Sequence, residues 1–241
     1  MHPVVHRWAS HMQDGAEKRE FLRLAVMRAL GGKEKALGRD HPSTLNTVNN
    51  LGNIYSVQGR LEEAESIYQR ALESKEKALG REHTSTLDTV HNLGLLYLDQ
   101  GRLAEAESLL QRALEGGEKA LGRDHISTLI TVDNFGNLCY VQGRLAEAES
   151  MYQRALEGKE KALGQDHVST LDTVHGLGNV YYVQGRMADA ESMYQRALSG
   201  IWSVLGPSHP KTKCIIRNLD RLSRAKDRSA ITDLPPPKET A

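Results

Sequence analysis

The chain has 241 residues, and its 31 basic and 31 acidic side chains cancel at pH 7; Lys and Arg are interleaved with Glu, so the basic stripe of a nucleic-acid module is missing and no nucleic-acid partner is expected. Two cysteines, Cys139 and Cys214, without CxxC spacing suit a reducing compartment and a fold that needs no disulfide staples. No run approaches the ~20 apolar residues of a membrane span, and the first residues lack the apolar centre of a secretory signal, so a cytoplasmic setting without a membrane partner is expected.

In chain order, residues 1–15 fall outside any period and read as an N-terminal remnant carrying the string His2-Pro3-Val4-Val5-His6-Arg7-Trp8. A partial repeat, 16–36, follows, with a degenerate first helix ahead of its second. Four full units then occupy 37–78, 79–120, 121–162 and 163–204. Their period is set by LGNIYSVQGRLEEAESIYQRAL, which starts at Leu51 and returns with small edits at Leu93, Phe135 and Leu177, 42 residues apart. Within one unit the apolar residues form two helical stripes with a break at Gln58-Gly59. Leu45, Val48, Leu51, Gly52 and Tyr55 mark a first helix, A, predicted over 42–57. Leu61, Ala64, Ile67, Tyr68, Ala71, Leu72 and Leu79 mark a longer helix, B, over 61–79. Asp40-His41-Pro42-Ser43 supplies the start of A, and Lys75 and Lys77 before Gly80 favour the negative end of B. A further A-type helix over 205–226, with Asp220 and Ser223 in place of the small Gly and the Tyr, reads as a soluble cap. The tail 227–241, with Pro235-Pro236-Pro237, is expected to be disordered.

The pattern Val48, Leu51, Gly52, Tyr55, Ala64 and Tyr68 resembles the tetratricopeptide repeat, in the 42-residue form seen in kinesin light chains. Gly52 and Ala64 are small where A and B cross, and Tyr55 and Tyr68 fill the space beside them. The resemblance implies an all-α fold, a right-handed tetratricopeptide-repeat superhelix (α-solenoid) of antiparallel helix pairs, with the A helices lining the concave side.

Chemistry is sparse in the sequence. The ladder His41, His83, His125, His167 and His209 invites a metal reading. Successive repeats stand roughly 8 to 10 Å apart, however, while zinc holds imidazoles at about 2.1 Å, so the histidines read as helix caps. Gly31-Gly32-Lys33 lacks the frame of a phosphate loop, and there is neither an HExxH helix nor a GxSxG elbow. Cys139 takes the core position of Tyr55. No catalytic residue, cofactor or metal is expected, and the chain reads as non-enzymatic.

The units differ chiefly on helix A. Its second, fifth, ninth and twelfth positions read Asn46, Asn49, Asn53, Ser56; Asp88, His91, Leu95, Leu98; Ile130, Asp133, Asn137, Tyr140; and Asp172, His175, Asn179, Tyr182. Steps of three and four place these on one stripe, and a stripe that varies over a constant scaffold is what a ligand-reading groove requires. Beside it run Asn50, Asn92, Asn134, then Gly176, then Asn218. The resemblance to kinesin light chains implies that such asparagines hold an extended peptide; bracing of neighbouring A helices is the competing use. The expected partner is therefore a protein or extended peptide in the concave groove. The string His2 to Trp8 resembles the segment that precedes the repeats in fungal STAND (NB-ARC) receptors, which implies the sensor region of a switch ATPase. A kinesin-light-chain-like cargo adaptor is the alternative, and weak self-association through the solenoid ends a third.

Overall fold

The computed structural model describes residues 15–232, with side chains from 20 to 227. The string His2 to Trp8, the degenerate helix expected ahead of Ala16, and the last residues of the tail lie outside this range. Among the described residues there are ten helices and no strand. They are α1 (Gly15–Leu37), α2 (Pro42–Val57), α3 (Leu61–Leu79), α4 (Thr84–Asp99), α5 (Leu103–Leu121), α6 (Ile126–Val141), α7 (Leu145–Leu163), α8 (Val168–Val183), α9 (Met187–Leu205) and α10 (Pro210–Thr232). Helices α2 and α3 coincide with the predicted A and B spans. The cap α10 runs on past Asp227, where the tail was expected to begin. The cause is local: no Gly or Pro interrupts the sequence between Lys211 and Thr232.

Short-range chemistry sets the helix boundaries. Every A-type helix begins at a histidine whose Nδ1 accepts a backbone N–H two residues on. The distances are 3.2 Å for His41 to Ser43 and 3.1 Å for His83 to Ser85; His125, His167 and His209 repeat the bond at 3.1 to 3.2 Å. The imidazole thus does the work of a Ser or Asp cap. At the A to B turn, Gly59 adopts φ +73°, in the left-handed region that L side chains resist. That geometry lets the Arg60 N–H reach back to the Tyr55 carbonyl at 2.9 Å.

Packing then follows from small residues. A Cβ on Gly52 would come within 2.6 Å of the Tyr68 ring, so the ring lies directly on the α2 backbone. Ala64 and Ala71 are fully buried along the same seam. The chain divides into two compact units, one ending at Thr131 and the other beginning at Val132. In the first, α1 to α5 pack in sequence order and the start of α6 closes on α5. In the second, α7 to α10 pack in order, with the remainder of α6 against α7. Each unit is a stack of antiparallel helix hairpins, the all-α solenoid arrangement.

The near-identity of the B helices has a structural cause. Glu65 on α3 takes Arg102 at 2.9 Å, Glu76 takes Arg112 at 2.7 Å, and Glu149 on α7 takes Arg186 at 2.8 Å. Where the A helix carries a tyrosine, the arginine after Gln-Gly also stacks on it, Arg60 on Tyr55 at 4.4 Å, Arg102 on Tyr97 at 3.8 Å and Arg186 on Tyr181 at 4.0 Å. Each partly exposed pair is worth little by itself, but the same two residue types recur at several boundaries within both units, which ties these positions to their residue types.

Candidate functional site

The varying stripe lies on the A helices, and the structure gives each of its positions a different task. At the second position, the Asn46 amide oxygen accepts the Ser85 hydroxyl at 2.7 Å, and Asp172 pairs with Lys211 at 2.5 Å. Both link one A helix to the first turn of the next. Asp88 is exposed, and the protein crowding its carboxyl holds the pKa above the usual carboxylate value, against the pull of Lys75 and His83. Ile130 is 38% exposed.

The fifth position is spent between helices. Asn49 is buried, and its Oδ1 accepts Asn92 Nδ2 at 3.5 Å. His91 Nδ1 lies 3.1 Å from the Thr131 hydroxyl. Asp133 pairs with the buried ammonium of Lys159 at 3.3 Å. His175 Nε2 meets Asn218 Nδ2 at 2.8 Å. Burial lowers the pKa of both histidines, His91 to about 4, so each is a neutral imidazole near pH 7.

At the ninth position the variation has a partner on helix B. The Tyr68 hydroxyl donates to Asn53 at 2.5 Å, Tyr152 to Asn137 at 2.6 Å and Tyr194 to Asn179 at 2.9 Å. In the second full unit both members change together, to Leu95 and Leu110. A buried phenol needs an acceptor, so this difference answers a packing demand.

The asparagine row is likewise divided. Asn92 bonds to Asn49, and Asn218 bonds to Asn179 at 3.0 Å, so these two brace neighbouring A helices. Asn134 accepts from Asn137 at 3.4 Å, and Asn50 is exposed. At Gly176 a Cβ would come within 2.9 Å of the Tyr152 ring, which is why no asparagine stands there.

Recesses lie on these faces in both units. In the first, Asp88, His91 and Asn92 border a cavity of about 230 Å³ floored by Gly117. In the second, Tyr140, Tyr182, Asn179 and Asn218 gather beside Arg221, whose guanidinium lies 4.9 Å from the Tyr182 ring centre. Arg217, Arg221 and Arg224, one turn apart on α10, continue this face around a recess of about 540 Å³. Sequence reasoning took α10 as a solubilising cap and passed over these arginines. Their three- and four-residue spacing was the available signal. Among the described residues no group of three His, Cys, Asp or Glu side chains is placed to hold a metal ion, and no helix is long and apolar enough to cross a membrane. Buried Cys139 packs in the tyrosine position. What the faces offer is hydrogen bonding by amides, stacking by tyrosines and charge from arginine, the means of binding.

The tetratricopeptide repeat model matches four overlapping stretches, residues 26–77, 43–119, 85–161 and 126–201. Among solved structures, a Podosopora anserina protein described as "kinesin light chain nearly identical TPR-like repeats" is similar at 25% identity and TM-score 0.65. That match covers 78% of this chain and 89% of that one, and a singly substituted form of the same protein gives the same values. BtubC (BKLC) from P. vanneervenii is similar at 20% identity and TM-score 0.70, over 92% of this chain and 96% of its own, a likeness of fold. No curated protein matches the chain significantly.

Proposed function

The chain belongs to the tetratricopeptide repeat family, and from that premise we propose that it is a non-enzymatic scaffold that binds a peptide or protein along its A helices. The observation that carries this reading is the face at Tyr140, Tyr182, Asn218 and Arg221. Two half-buried tyrosines, an amide and a stacked guanidinium offer an extended peptide a surface to stack on and groups to bond to. Their recession beside a larger arginine-lined hollow favours a peptide carrying acidic residues. The test is selection from a peptide display library against the whole chain, followed by titration of the selected peptide into Tyr182→Ala and Arg221→Ala. Each variant should bind about tenfold or more weakly with an unchanged helical spectrum; binding at full strength in both removes the proposal.

The string His2 to Trp8 favours a STAND-type receptor as the setting, with this scaffold as its sensor region. Similarity to the Podosopora anserina structure favours a second reading, a kinesin-light-chain-like adaptor. The coding sequence upstream of Met1 separates them. A nucleotide-binding module there supports the receptor, and a heptad coiled coil supports the adaptor.

A further inference from the structure

Three repeats share a lysine that reaches from one hairpin into the next, buried in two of them. Lys33, Lys75 and Lys159 occupy one position of the period, and each sends its ammonium into the first turn of the next A helix. Lys75 Nζ donates to the Ser85 carbonyl and the Thr89 hydroxyl, both at 2.9 Å. Lys159 donates to the Ser169 carbonyl at 3.3 Å and to Thr173 at 2.9 Å, and Lys33 to Ser43 at 3.2 Å and Thr47 at 2.9 Å. Lys75 and Lys159 are each 1% exposed. The contact between one hairpin and the next is thus built around a four-carbon stem ending in an ammonium.

In the unit 79–120 the lysine is gone. Gly117 stands in its place, whereas in the last unit Ile201 fills the same position with buried hydrocarbon. The cavity of about 230 Å³ opens where the stem and ammonium would lie, and it is larger than the five heavy atoms it replaces. The acceptors remain at the lysine spacing, ten and fourteen residues on: Ser127, and Thr131, whose hydroxyl is 3.1 Å from the Ser127 carbonyl. Leu87, Leu121 and Ile130 give an apolar wall, and the last two, each 38% exposed, stand at the mouth.

Thr128 supplies an independent sign. Its counterparts Thr44, Thr86, Thr170 and Thr212 each donate to the carbonyl of the preceding loop glycine at 2.7 to 2.9 Å. Thr128 is 1% exposed, and its hydroxyl has no hydrogen-bond partner. A Cβ built on Gly117 would lie 3.4 Å from that oxygen, so the orphaned hydroxyl faces the emptied position. A buried polar group left unbonded is costly unless something arrives to satisfy it. Asp88 in the lining supplies negative charge; His91 beside it is neutral.

We propose that this cavity receives a primary alkylammonium, the lysine side chain of a bound partner, in the place Lys75 and Lys159 fill in the sister repeats. The stem runs along Leu87, Leu121 and Ile130, and the ammonium meets the Ser127 carbonyl, the Thr128 hydroxyl and Asp88. That the amine belongs to a protein partner rests on the scaffold reading above; the cavity's preference for an alkylammonium does not.

The test titrates Nα-acetyl-lysine N-methylamide into the isotopically labelled chain and follows the amide signals of Gly117, Thr128 and Thr131. Saturable shifts are expected from this probe and not from its Nε-acetylated form, which has the same stem without the charge. Gly117→Lys should abolish the shifts by filling the cavity with its own ammonium, Gly117→Ala should keep them, and Thr128→Val should weaken binding several-fold. No saturable shift, equal shifts from the acetylated probe, or undiminished binding in Gly117→Lys overturns the proposal. The comparison of the two probes on the unaltered chain holds even if a variant fails to fold. Peptide binding without any response to the lysine probe would overturn the cavity assignment and leave the scaffold standing, and the converse result would do the reverse.

Discussion

Replacing Lys75 with methionine should flatten the alkaline branch of the stability curve. Lys75 is 1% exposed, and burial pulls its pKa from 10.5 to about 8, with Asp88 opposing the shift. Between those two values the unfolded chain still holds a proton that the folded chain has released. Stability therefore rises with pH across the window from 8 to 10.5. At ~1.4 kcal/mol per pKa unit the gain amounts to about 3 kcal/mol. Below pH 8 both states carry the proton, and the same free energy is the cost of burying the ammonium, offset by its bonds to Ser85 and Thr89. Methionine keeps the stem and removes the charge. Near pH 7 the exchange should therefore be close to neutral, because relief of desolvation is balanced by loss of the two charged bonds to the Ser85 carbonyl and the Thr89 hydroxyl, which keep only the weaker bond between them at 3.3 Å. The assay is urea unfolding of both proteins at a series of pH values, read as the difference between them so that other lysines and tyrosines cancel. Parallel curves from pH 8 to 10.5 would refute the reasoning, since they would mean that the ammonium stays hydrated.

On the acid side, His91 has a folded pKa of about 4 against an ordinary 6.5. Its contribution is fully present above pH 6.5 and is lost as pH falls towards 4, about 3 kcal/mol in all; His91→Gln should lose that slope, and equal acid slopes would overturn the assignment. Gly52→Ala should destabilise the chain by about 1 to 3 kcal/mol in thermal unfolding, because its Cβ meets a Tyr68 ring pinned by its bond to Asn53. Gly94→Ala should cost less, since the flexible Leu110 side chain stands there at 3.0 Å; equal losses at the two glycines would count against the pinned ring.

The scaffold was legible because its signals are local. Helices α2 and α3 begin and end where the apolar spacing and the glycines placed them, and the histidine ladder caps helices as its spacing implied. The candidate site was legible in position and not in role. The stripe Asn46, Asn49, Asn53 and its counterparts does lie on the A helices, but the sequence could not show that Asn49 is buried, that Asn53 serves Tyr68, or that Asp133 answers Lys159. The exchange of Asn53 and Tyr68 for Leu95 and Leu110 was visible as two separate differences. Only a contact fifteen residues apart across a helix crossing makes them one. The constancy of the B helices is legible as a fixed scaffold, and the structure adds that Glu to Arg pairs on them join one repeat to the next.

The sequence alone therefore determined the period, the hairpin and its small-residue seam, because helix starts, stops and apolar faces depend on neighbours three or four residues away. The tertiary structure alone decided which polar side chains are spent on holding repeats together and where one is missing. Those pairings join residues from ten to forty-three positions apart on different helices, and they depend on how far each hairpin is displaced from the last, a distance no local pattern records. Gly117 shows the difference: in the sequence it is one glycine in a helix, and in the fold it is the absence of a lysine whose acceptors are still in place.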